Sequence, residues 1–181
     1  MEGGINAWKG LVAKGIPDAG MAYFEPAKKT GELIALAWYL EEGSRKFYAE
    51  MARREKDPEA VGLLNELVDD EERHKTSLFQ LQQTLSGRKS DPAFPGSLIG
   101  IKPGVEYLEG GMLLSEALEW VRGKEVREVL DLSVSLEVNA VDLYIKMERK
   151  VQEKEARQVF QILSNQEKIH LERLSSLLEK R

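Results

Sequence analysis

Four long stretches of this chain carry apolar residues at alternating spacings of three and four, the period of a helix with one buried face. In the second stretch, Leu64, Leu67, Leu78, Leu81 and Leu85 share a stripe with two polar residues, Glu71 and His74. The pattern predicts helices over Glu32 to Arg54, Glu59 to Leu85, Glu125 to Val151 and Glu155 to Lys180, each about 35–40 Å long at about 1.5 Å per residue. The break at Asp57-Pro58 and the polar joint at Gln152 to Lys154 are short, and short joints make neighbouring helices antiparallel. Pro58 suits the first turn of the helix it opens, where a backbone N–H is not needed.

Between the two predicted hairpins, Ser86 to Met112 holds Pro92, Pro95, Pro103 and six glycines, which a helix cannot absorb. A connection of that length can run from one end of a bundle to the other. A short helix, Ser115 to Arg122, is expected before Gly123.

The hairpins repeat each other. Sliding Leu33–Leu81 onto Val129–Leu177 gives thirteen identities in 49 positions, among them Leu40/Leu136, Glu41/Glu137, Tyr48/Tyr144, Met51/Met147, Leu67/Leu163, Glu71/Glu167, His74/His170 and Leu78/Leu174. Neither hairpin can bury its apolar face alone, so the two are expected to pack about a pseudo-two-fold axis into one all-α four-helix bundle. Trp38, Trp120, Met51 and Met147 fall at helical spacing and are expected in its core. Arg53, Arg54 and Lys56 suit the negative end of the first helix.

Composition narrows the function. A 181-residue chain with 42% hydrophobic residues can build one core without disulfides. It has no cysteine, hence no disulfide, thiolate metal site or sulfur nucleophile. The net charge is -5 and basic residues are interleaved with acidic ones. That argues against a nucleic-acid partner, which needs a basic stripe. No apolar run approaches bilayer length, and the N-terminus lacks a basic stretch followed by an apolar core. A cytoplasmic protein without a membrane partner is expected.

The chemistry lies where the stripes turn polar. Both histidines of the chain, His74 and His170, follow a glutamate by three residues, Glu71 and Glu167, in phase with leucines. The first helix carries Ile34, Ala37, Glu41, Ser44, Tyr48 and Met51 on one face, and the third carries Leu130, Ser133, Glu137, Ala140, Tyr144 and Met147. Four carboxylates therefore point into one core. Burying one costs several kcal/mol or forces it to take a proton, and four repel one another as well. Two divalent cations would cancel the charge, and residues three apart on a helix can reach one ion together. Oxygen-rich donors with one imidazole per metal suit iron or manganese.

One Glu from each of two helices with Glu-x-x-His from the other two resembles the ferritin-like superfamily and, within it, rubrerythrin-type proteins, over about residues 30 to 180. The resemblance implies a ferritin-like bundle over 31–181 with two Fe ions, Mn being the alternative. The metal ligands would be Glu41, Glu71, His74, Glu137, Glu167 and His170. It implies an oxidoreductase acting on hydrogen peroxide or dioxygen. Tyr48 and Tyr144 resemble tyrosines that hydrogen-bond ligand carboxylates and so act in catalysis from behind them; core packing is the other reading. Rubrerythrins often carry a further glutamate one turn after the third-helix ligand, where this chain has Ala140. They also carry a cysteine-bound iron domain, so here electrons would come from a separate donor protein.

Residues 1–30 form a tail. Its Gly3-Gly4-Ile5-Asn6-Ala7-Trp8-Lys9-Gly10 and Gly15-Ile16-Pro17 resemble the end of a rhodanese domain, which implies a rhodanese partner in a longer chain. A ferroxidase or iron-handling role, and a non-enzymatic metal-binding module beside a rhodanese sulfurtransferase, are the rival readings. A homodimer is compatible with all of them.

Overall fold

The structure, a computed structural model, describes residues 29–87, 93–100 and 104–181. The tail that resembles a rhodanese terminus lies outside the described residues. Among those described there are five helices: α1 Thr30–Arg54, α2 Pro58–Ser86, α3 Leu114–Trp120, α4 Val126–Lys150 and α5 Lys154–Glu179. Their bounds fall within two residues of the expected ones. Among the described residues no helix is long and apolar enough to cross a membrane.

Local chemistry sets the helix ends. Glu32 reaches back to the Lys29 N–H at 3.2 Å, and Glu128 does the same for Glu125 at 3.2 Å, each satisfying a donor the helix leaves free. Asp57 accepts from the Ala60 N–H at 2.9 Å, with Pro58 in the first turn. Gly87, at φ +66°, closes α2 in a left-handed conformation that a side chain would resist.

The chain forms a bundle of two antiparallel hairpins, α1 with α2 and α4 with α5, joined by the long crossover; α2 meets α5, and α3 lies against α1. Thr30 donates to Glu153 at 2.5 Å and Arg181 to Asp57 at 2.8 Å, tying the hairpins together at both ends. Every member of the three stripes named above is buried except Leu85, 36% exposed at the end of α2, and Phe160, Leu163, Glu167, His170, Leu174 and Leu177 form the matching buried stripe of α5. The tryptophans differ from expectation. Trp38 and Trp120 only half-enter the core, and Lys75 and Lys124 lie over their rings at 4.9 and 5.1 Å.

The core has two apolar clusters. One gathers Leu33, Ile34, Leu40, Leu78, Tyr144 and Phe160; the other gathers Phe47, Tyr48, Leu64, Leu67, Leu136 and Leu174. Between them lies a layer of buried polar groups.

Candidate metal centre

That layer contains all six expected ligands, none more than 3% exposed: Glu41 from α1, Glu71 and His74 from α2, Glu137 from α4, and Glu167 and His170 from α5. Helical spacing brings each Glu and His of a pair onto one face, and the hairpin fold sets the α1 and α4 glutamates opposite them.

Two groups of donors form. Glu41, Glu71, His74 and Glu167 each offer an atom within 4.8 Å of the others, and so do Glu71, Glu137, Glu167 and His170. The groups share Glu71 and Glu167. Each then adds its own imidazole and its own glutamate, Glu41 with His74 and Glu137 with His170. His74 Nδ1 lies 3.2 Å from Glu41 Oε2, 3.2 Å from Glu71 Oε2 and 2.9 Å from Glu167 Oε1. His170 Nδ1 lies 2.8 Å from Glu167 Oε2 and 3.6 Å from Glu137 Oε2. Thus Glu167 turns one oxygen toward each group.

Hydrogen bonding alone leaves this arrangement incomplete. One nitrogen proton cannot serve three carboxylate oxygens, and Glu71 Oε2 is buried without a hydrogen-bond partner among the described residues. Buried polar atoms in folded proteins are almost always paired. The donors therefore fit cations, and these clusters could hold metal ions.

The electrostatics agree. Burial, then the charges of Glu41 and Glu167, push the Glu71 carboxyl well above the usual range. Burial and the Glu167 charge raise Glu137 to about 8. Burial opposes charge on both imidazoles, but Glu41 and Glu167 outweigh it at His74, and Glu137 and Glu167 raise His170 to about 9. Burial likewise opposes charge on Glu167, yet His74 and His170 hold its carboxyl far below the usual range. Without metal, protons take the place of cations in this layer.

The tyrosines cross between hairpins. Tyr48 on α1 donates to Glu137 Oε1 at 2.5 Å, and Tyr144 on α4 donates to Glu41 Oε1. Both hydroxyls are fully buried, and burial before nearby carboxylates raises them well above the usual tyrosine range. They stay protonated and fix one oxygen of each carboxylate.

Two residues escaped the sequence reading. Asp70 Oδ2 lies 3.2 Å from His170 Nε2, whereas His74 Nε2 has no hydrogen-bond partner among the described residues. The repeat explains the difference, because the counterpart of Asp70 is Gln166. Glu109, in the crossover, is a fifth buried carboxyl, 3% exposed, and accepts from the Ser44 hydroxyl. Asp70 sat beside the stripe, and Glu109 lay in a segment without periodicity.

No protein-family model and no curated protein matches the chain. Among solved structures it is similar to a hypothetical protein from Pyrococcus furiosus, with 24% identity and a TM-score of 0.64, over 91% of this chain and 95% of that one. The likeness shows a shared fold.

Proposed function

We propose that this chain is a rubrerythrin-like non-haem di-iron oxidoreductase that acts on hydrogen peroxide or dioxygen with electrons from a separate donor protein. The observation that carries the reading is the pair of donor groups sharing Glu71 and Glu167. Four carboxylates match the charge of two divalent ions, and one imidazole for each ion suits iron, with manganese as the alternative. Bound in these two groups, redox-active ions would supply the two electrons that, with two protons, turn hydrogen peroxide into two waters.

The protein's part is placement. Glu71 and Glu167 would serve both ions, while Tyr48 and Tyr144 fix Glu137 and Glu41 from behind. The apolar clusters on either side keep water from the layer, which strengthens every charge interaction inside it. With no cysteine, the chain carries no thiolate-bound iron of its own to relay electrons.

Elemental analysis of protein purified without added metal, followed by stopped-flow mixing of the reduced form with peroxide or oxygen, tests the proposal. Up to two irons per chain and one peroxide consumed per pair are expected, and Glu71→Ala or His170→Ala should lower the metal content. A reduced, metal-loaded protein that neither oxidant reoxidises would end the enzyme reading. Continued uptake of ferrous iron into a mineral would instead indicate iron handling.

A further inference from the structure

The hairpins match ligand for ligand, yet they differ where the crossover touches them. Gly43 of α1 corresponds to Asn139 of α4, and Ser44 to Ala140. A Cβ on Gly43 would overlap the Tyr107 carbonyl oxygen, so only glycine lets the crossover lie this close to α1. On the other side Gly110, at φ +87°, sits where a Cβ would overlap the Asn139 side chain. The turn between is fixed by Leu108 N–H to Met112 O at 2.8 Å and Gly111 N–H to Leu108 O at 3.0 Å. The crossover is therefore seated across α1 and α4, and the residue it drives inward is Glu109.

Glu109 is costly as packing. Its position is 3% exposed, where an apolar side chain would carry no desolvation penalty. Burial, then the charges of Glu41, Glu167 and Glu137, press its carboxyl well above the usual range. Those three neighbours are all like charges. The Ser44 hydroxyl is a neutral partner. Ser44 stands three residues beyond Glu41 on the same helix face, about 4.5 Å along the axis, which is within the swing of a glutamate side chain. Glu71 Oε2, buried without a hydrogen-bond partner among the described residues, lies in the same layer.

From this we infer that Glu109, which stands outside both donor groups, is an outer carboxylate of the metal centre, delivered by the crossover, whose charge tightens the binding of the ion pair. The inference rests on the metal reading above. It also gives the glycines at 43 and 110 a purpose, since both allow the crossover to approach closely enough.

Cobalt(II) binding to the full chain, measured by calorimetry or chelator competition, tests it with Glu109→Gln and Ser44→Ala. Glutamine keeps the shape and can still accept from Ser44, so that variant should fold as the unaltered chain does by circular dichroism. Glu109→Gln is expected to weaken at least one cobalt step by about 10-fold or more, the scale seen for groups that support a metal. Ser44→Ala, which keeps the acid, should fall short of that loss of about 10-fold in every step. Equal affinities for Glu109→Gln and the unaltered chain would overturn the inference. So would equal losses in both variants, which would mean that Glu109 acts only by seating the crossover. If the unaltered chain bound no cobalt, the metal reading itself would fail, a result distinct from either.

Discussion

Removing metal should make the fold of this protein sensitive to alkali. In the metal-free chain Glu137 holds its proton up to about 8 and His170 up to about 9, whereas the unfolded chain releases them near the ordinary values of 4.5 and 6.5. Between those limits the folded state binds more protons than the unfolded state, so stability falls as pH rises. The raised Glu71 and His74 act in the same direction. Glu167 has the opposite shift and contributes stability that is lost only in strong acid, outside this window. Each extra proton is worth about 1.4 kcal/mol per pH unit, so Glu137 alone would account for about 4–5 kcal/mol. These groups share Glu167 and do not add, so about 4 kcal/mol between pH 5.5 and 8.5 is the working figure. Against a typical domain stability of about 5–15 kcal/mol, that is a large share. Bound cations would replace those protons and reverse the trend, because protons then compete with metal for the same atoms. Urea unfolding followed by circular dichroism at pH 5.5, 7 and 8.5, in chelator and in excess manganese(II), measures both slopes. A metal-free chain whose stability did not change with pH would refute the reasoning.

Other outcomes follow from single contacts. Asp70→Asn should weaken one of two cobalt steps by about 10–100-fold, since Asp70 meets His170 and no counterpart serves His74; equal weakening of both steps would contradict the asymmetry. Tyr48→Phe removes the donor to Glu137 and should cost about 1–3 kcal/mol of stability in the metal-bound protein, read by urea unfolding. A change below about 0.5 kcal/mol, ordinary for a surface position, would show that Glu137 does not depend on that bond. Gly43→Ala forces a methyl group into the Tyr107 carbonyl and should cost about 1–3 kcal/mol. Hydrogen exchange at the Leu108 and Gly111 amides should rise with it; unchanged protection would mean the crossover is not seated on α1.

The helices and their pairing were legible in the chain because burial of one face imposes a period that short-range pattern records. Glu41, Glu71, His74, Glu137, Glu167 and His170 were legible for the same reason, each being a polar interruption in phase with leucines, and the repeat marked them twice. What pattern could not carry was how the two halves differ. The sharing of Glu71 and Glu167 between donor groups, and the crossing of Tyr48 and Tyr144 to the opposite hairpin, depend on distances between segments nearly a hundred residues apart. Asp70 lies one position off the stripe and meets His170 only because α2 packs on α5. Glu109 belongs to no periodic segment, and its burial follows from where the crossover crosses α1 and α4. Local periodicity thus determined which side chains face inward, while tertiary packing decided which of them meet, since approach between distant segments is set by the space left among already folded helices.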